Sequence, residues 1–137
     1  MEMTVSQPLD SIPVTLLGVE GTLDGSNYAG LIVKATELQE QGSQGLLLDL
    51  SKLRYMSSAG ISALHRVALI FQGKKSEELH EGWAEFHKMR HDLSNGKQKH
   101  VKLLNPTAQV IKVLDMTGFG ADFETFTDTH AALASFQ

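Results

Sequence analysis

The chain has no cysteine, so it offers neither a disulfide nor a thiolate metal ligand, and a reducing, cytoplasmic setting is the simplest expectation. No apolar run comes near the roughly 20 residues of a membrane-spanning helix, and the first residues lack the basic, apolar and small-residue succession of a secretory leader. No membrane partner is therefore expected. Basic charge is in short supply. Lys and Arg number 12 against 16 Asp and Glu, a net charge of −4, which argues against the basic face of a general nucleic-acid binder. There is no Gly-x-x-x-x-Gly-Lys-Ser/Thr loop and no Gly-x-Gly-x-x-Gly, so the sequence calls for no nucleotide or other cofactor. What is present is 137 residues of which 42% are hydrophobic, enough for one core and one domain over 1–137.

The most informative stretch runs from Leu46 to Phe71. Leu46 to Leu50 is short and almost wholly apolar, which suits a strand buried on both faces. Ser57 and Ser58 then precede Ile61, Leu64, Ala68 and Phe71, spaced as one face of a helix. The opposite face is expected to carry Ser58, Ser62, His65 and Arg66. A pair of hydroxyls thus stands where a buried strand hands over to a helix start, and the unpaired N–H groups there favour negative charge. One role for Ser57 or Ser58 is to cap the helix. A second is to accept a phosphate, whose added charge a docked partner must accept or reject. The two roles are compatible.

Around this centre the chain reads as strands alternating with helices, an α/β layer with a mixed sheet. Met1 to Ile12 is an edge strand or arm. Pro13 to Glu20 is a strand, Gly21 to Ser26 a turn with Asp24 or Ser26 as cap, and Tyr28, Leu31, Ala35 and Leu38 recur at helical spacing up to Gly42. Val101 to Leu104 is a strand. Asn105-Pro106 reads as N-cap and first helical residue of a helix that stops at Gly118. Phe123 to Phe126 is a last edge strand and Asp128 to Phe136 a closing helix.

Asp49-Leu50-Ser51 followed by Tyr55-Met56-Ser57-Ser58-Ala59-Gly60-Ile61 resembles the signature of STAS domains, the fold of bacterial anti-sigma factor antagonists. Glu20-Gly21-Thr22-Leu23-Asp24 is similar to that family's glycine-x-leucine-aspartate turn. Leu103-Leu104-Asn105-Pro106 and Val113-Leu114-Asp115-Met116-Thr117-Gly118-Phe119 resemble its C-terminal half. The resemblance implies a STAS-like single domain with Ser58, two residues before the glycine, as phosphoacceptor and Ser57 as its rival. Many phospho-switched members have aspartate where this chain has Ser57. It further implies a partner-switching regulator of transcription: an anti-sigma factor that doubles as a serine kinase binds the protein, phosphorylation of Ser58 releases it, and a serine phosphatase resets it. The expected contact surface is Asp24, Ser57, Ser58, Ser62, His65 and Arg66. The alternatives are an unmodified scaffold or adaptor subunit of a signalling complex and, from a different class, a nucleotide-binding regulator or an enzyme.

An enzyme is the weaker of these. A nucleophile elbow needs Gly-x-Ser-x-Gly, and Met56 stands where its first glycine would be. His65 lies two turns along the same helix, too far to take the Ser58 proton. No catalytic residue is assigned. The chain also carries a helical insertion at about 73–99, between the central helix and the next strand. Ser76-Glu77-Glu78 reads as a helix start, and Leu79, Trp83, Phe86 and Leu93 form a stripe that is expected to dock on the domain or on a second copy, as a homodimer. His87 and His91 stand at i, i+4 without a third ligand at fixed spacing, so together with His80 they read as a solvated face and no metal is expected.

Overall fold

The computed structural model describes residues 1–8, 13–73, 99–118 and 122–136. Among them, six strands and four helices follow in the order β1 (Glu2–Ser6), β2 (Val14–Leu23), α1 (Tyr28–Glu40), β3 (Gly45–Asp49), β4 (Leu53–Met56), α2 (Ser58–Phe71), β5 (Val101–Leu104), α3 (Ala108–Thr117), β6 (Thr125–Phe126) and α4 (Thr129–Ala134). The helix expected over 76–93, with Trp83, Phe86 and its three histidines, lies outside the described residues.

The sheet runs β1-β2-β3-β5-β6, with β4 paired to β2. β1 is antiparallel to β2 and every other pair is parallel, so the sheet is mixed, as its alternation with helices implied. β2 serves two parallel neighbours in succession. Val14 to Gly18 pair with β3, and Gly21 to Leu23 pair with β4, with a register shift between Gly21 and Thr22. Gly21 stands at that shift with φ +94°, a conformation an L side chain resists. The strand therefore continues through Gly21 to Leu23, the first half of the expected turn, and the turn itself begins at Asp24. β4 itself was not foreseen, because Arg54 and Tyr55 are adjacent and both exposed, which hides the alternation of a strand.

Side chains point alternately to the two faces of a strand, and here the faces feed different cores. Leu17, Val19, Leu23, Leu46, Leu48 and Leu103 meet α1, α2 and α3. Val14, Leu47 and Leu104 meet Ala132 and Leu133 of α4. Leu46, Leu47 and Leu48 are all fully buried, as a continuous apolar run predicts for a central parallel strand.

Two helix starts differ from expectation. α1 has Asn27 at its cap position, and neither Asp24 nor Ser26 caps it. α3 begins at Ala108 with Thr107 before it. Asn105 is left-handed at φ 49°, and its N–H donates to Phe126 C=O at 2.8 Å, so Asn105-Pro106 belongs to the turn and not to the helix. α4 does open as expected at Asp128, whose carboxylate accepts the Ala131 N–H at 2.9 Å. Gly118 ends α3 in the left-handed conformation at φ 75°, the usual glycine stop.

Candidate functional site

The corner between β4 and α2 is held from both sides. On one side Ser57 N–H donates to Leu23 C=O at 3.0 Å, continuing the β2–β4 pairing that ends at Leu23 and Met56. On the other, the Gln109 side-chain amide takes Met56 N–H at 2.8 Å and gives its own N–H to Met56 C=O at 3.1 Å. Thr107 Oγ1 donates to Leu53 C=O at 3.0 Å. The first turn of α3 thus satisfies backbone groups of β4 that a neighbouring strand would otherwise pair.

The glycine of the motif has a packing reason. A Cβ on Gly60 would come within 2.6 Å of Met56 Cγ and 3.1 Å of Leu23 Cγ. Only a residue without one lets the first turn of α2 lie against the ends of β2 and β4.

The two serines are sorted by this geometry. Ser57 is the cap residue, with extended backbone at ψ 177°, and its C=O accepts Gly60 N–H at 2.9 Å and Ile61 N–H at 3.3 Å. Its hydroxyl makes no capping bond; Oγ is buried and has no hydrogen-bond partner. Ser58 is the first helical residue and is exposed. Neither hydroxyl caps the helix, which corrects the first role considered for them. The first N–H groups of α2 therefore keep the unsatisfied character of any helix start.

Asp24 follows Leu23 just as Ser57 follows Met56, so the two turns adjoin at the same end of the sheet. Asp24 Oδ1 accepts both Ser26 N–H, at 2.9 Å, and the Ser26 hydroxyl. The Ser26 hydroxyl first, and its amide second, hold the Asp24 carboxyl below the usual carboxylate range. Asn27 closes the turn, its Oδ1 accepting Asp24 N–H at 3.0 Å and its amide donating to Thr22 C=O at 2.9 Å.

Of the residues expected on the outward face of α2, Ser58 is exposed and Ser62 and Arg66 are partly exposed. His65 is not on that face. It is only 1% exposed, with its ring edge-on to Phe123 at 5.4 Å and Nε2 3.9 Å from Asp122 Oδ2. The facing was misjudged because α2 is covered on most of its circumference. Gly60, Ala63, Val67, Leu69 and Ile70 are buried as well as the expected stripe, which leaves an outward arc of i, i+4 and i+8 only. Gln109, Thr107 and Asp122 were not anticipated at the site, and nothing local in the sequence marks them. Among the described residues no cluster of three or more His, Asp or Glu could hold a metal, and no helix is long and apolar enough to cross a membrane.

The STAS domain family pattern matches residues 6–75, the span that holds β2, α1, β3, β4, α2 and both turns of this corner. The chain belongs to the STAS domain family. Solved structures agree on the fold. A candidate anti-sigma factor antagonist from Thermotoga maritima matches with TM-score 0.70 at 14% identity, over 98% of this chain and 93% of that one. An anti-sigma factor antagonist from Mycobacterium paratuberculosis matches with TM-score 0.67 at 16% identity, over 98% and 92%. The Bacillus cell fate determinant SpoIIAA, in its phosphorylated form, matches with TM-score 0.56 at 14% identity, over 99% and 100%. No curated protein matches by sequence. This STAS chain therefore presents the family's strand-to-helix corner with a serine exposed at the helix start.

Proposed function

We propose that this STAS protein is an anti-sigma factor antagonist, a single non-catalytic domain over 1–137 that acts in the cytoplasm and is switched by phosphorylation at Ser58. The observation that carries the proposal is the contrast between the two serines. Ser58 is exposed on the first residue of α2, whereas Ser57 Oγ is buried beneath it, so a kinase can reach the one and not the other. A phosphate on Ser58 would meet the positive end of the helix, which tolerates the charge, so the fold survives while the surface changes sign. The solved relatives support this reading, since SpoIIAA is known in unphosphorylated and phosphorylated forms. The partner is an anti-sigma factor with serine kinase activity, and a serine phosphatase restores the free form. The contact surface comprises Ser58, Ser62 and Arg66 with the Asp24 turn. His65 is left out because it is buried, and Ser57 because its hydroxyl is.

The test is phosphosite mapping by mass spectrometry after incubation with the host's anti-sigma kinases, alongside binding measurements. Label on Ser58, loss of label in Ser58→Ala with binding retained, and weakened binding in Ser58→Asp are expected. Label confined to Ser57 or to another residue overturns the assignment. Binding indifferent to both substitutions favours a constitutive scaffold or adaptor instead.

A further inference from the structure

At the other end of α2, where β2, β3 and β5 begin, the described residues enclose a cleft of about 700 Å³, within the size range of small-molecule sites. Gln39, Ser43 and Gln44 after α1, Phe71, Gln72 and Gly73 at the end of α2, and Lys99, His100 and Lys102 at the start of β5 line it. Val14, Gly45, Glu124, Ser135 and Phe136 complete the wall. In a protein of net charge −4, this cleft sets two lysines against one carboxylate among its described residues, with a histidine beside them.

The floor is fixed in advance. Lys102 is 3% exposed, and its Nζ donates to Ser135 C=O at 3.1 Å and Ser135 Oγ at 2.9 Å. The same Nζ lies 3.7 Å from Glu124 Oε2 and 4.6 Å from the centre of the Phe136 ring. The only carboxylate among the described residues of the cleft is thus already engaged. A Cβ on Gly45 would lie 3.0 Å from the Phe136 ring, so the glycine lets that ring seat against β3. Ser43 Oγ, 2.8 Å from Thr15 Oγ1, ties the loop after α1 to β2. At the rim, Lys99 is exposed and makes no ion pair among the described residues. Gln39, Gln44 and Gln72 add side-chain amides that can donate to oxygen. A buried, already-neutralised lysine beneath an exposed one, and the Phe71 and Phe136 rings as apolar wall, are the makings of a site for a small anion.

We infer that this cleft binds a small molecule carrying at least two anionic oxygens, a polycarboxylate or a phosphate ester, with Lys99 as its principal charge contact. The site is independent of the Ser58 reading, since it stands at the opposite end of α2, about 20 Å away at 1.5 Å per residue. It gives the domain a place to sense a metabolite without occupying the partner surface.

The experiment is a titration of the full chain with citrate and with inorganic pyrophosphate, followed by amide chemical shifts. The Ser58→Asp, Lys99→Glu and Gln72→Glu variants are measured in parallel. Saturable shifts at Gln44, Gly73, Lys99, His100 and Lys102 are expected, equal in Ser58→Asp and weakened about tenfold or more by Lys99→Glu or Gln72→Glu, the loss of a charge-assisted contact. Response to citrate alone or pyrophosphate alone assigns the anion as carboxylate or phosphate. Three results overturn the inference: no saturable shift with either probe; shifts centred on Ser58 and Ala59; or undiminished binding in both cleft variants.

Discussion

At its first residue α2 stands on a corner whose every neighbour is tied down, while at its last it opens onto a cleft. The upper end is closely packed: Gly60 against Met56 and Leu23, Gln109 on both polar groups of Met56, and Ser58 turned outward. The lower end is roomy, with Lys99 exposed at its rim. Charge added at the upper end is stabilised by the helix start itself and needs no basic side chain. Charge received at the lower end, beside a helix C-terminus with its negative dipole end, needs lysines to offset it. One rod therefore supports two different ways of meeting an anion: one suited to a phosphate attached to the chain, the other to a free ligand.

That contrast can be broken from the middle. Leu64 is fully buried in the shaft that joins the two ends, and Leu64→Ala should cost about 2 to 5 kcal/mol by leaving a cavity. Calorimetry should show it, and a loss below about 1 kcal/mol would mean the shaft repacks and the ends are not rigidly linked. Gly60→Ala attacks the upper end only. Its methyl group would force Met56 or Leu23 aside and should cost about 1 to 3 kcal/mol, read as a lowered Tm, while the amide shifts of the cleft stay in place. Gln109→Ala should cost about 1 kcal/mol, because Met56 N–H and C=O both lose their partner. Hydrogen exchange at Met56 should speed up in that variant while exchange at Leu47 does not.

The smallest effects are the sharpest. Ser57→Ala removes a buried hydroxyl without a partner, so stability should stay level or rise by up to about 0.5 kcal/mol. Ser58→Ala, at an exposed position without a capping bond, should also stay within about 0.5 kcal/mol while abolishing phosphorylation. A clear loss in Ser57→Ala, measured by urea denaturation, would show that the hydroxyl has a partner, such as a water. Acid should then touch the adjoining turn. The folded Asp24 carboxyl titrates below its ordinary value of 3.8, so its contribution is present above that pH and is lost as pH falls through the folded value. Asp24→Asn should flatten the acid side of the Tm-against-pH profile slightly and leave neutral pH unchanged.

Much of the fold was legible because its signals are local. The all-leucine strand, the 3.6-residue stripe of α2, Gly118 after α3 and Asp128 before α4 each act within a few residues. What misled were places where a local signal met a tertiary demand. Asn105-Pro106 looks like a helix start, yet the hydrogen bond from Asn105 to Phe126 fixes it in a turn. Gly21 looks like the end of a strand, yet β4 arrives to extend the pairing. His65 falls on the polar side of a helical wheel, but a wheel cannot count how many neighbours will surround the helix.

The sequence alone determined the order of strands and helices apart from β4, the family and the serine pair at the start of α2, because these depend on the periodicity and identity of neighbouring residues. Only the tertiary structure decided which serine faces solvent, that Gln109 from 53 residues away secures the corner, that His65 turns inward to Asp122, and that cations from the start of β5 gather at the far end of α2. Each of these depends on contacts between segments distant along the chain, and burial is a property of the packed neighbours and not of the residue itself.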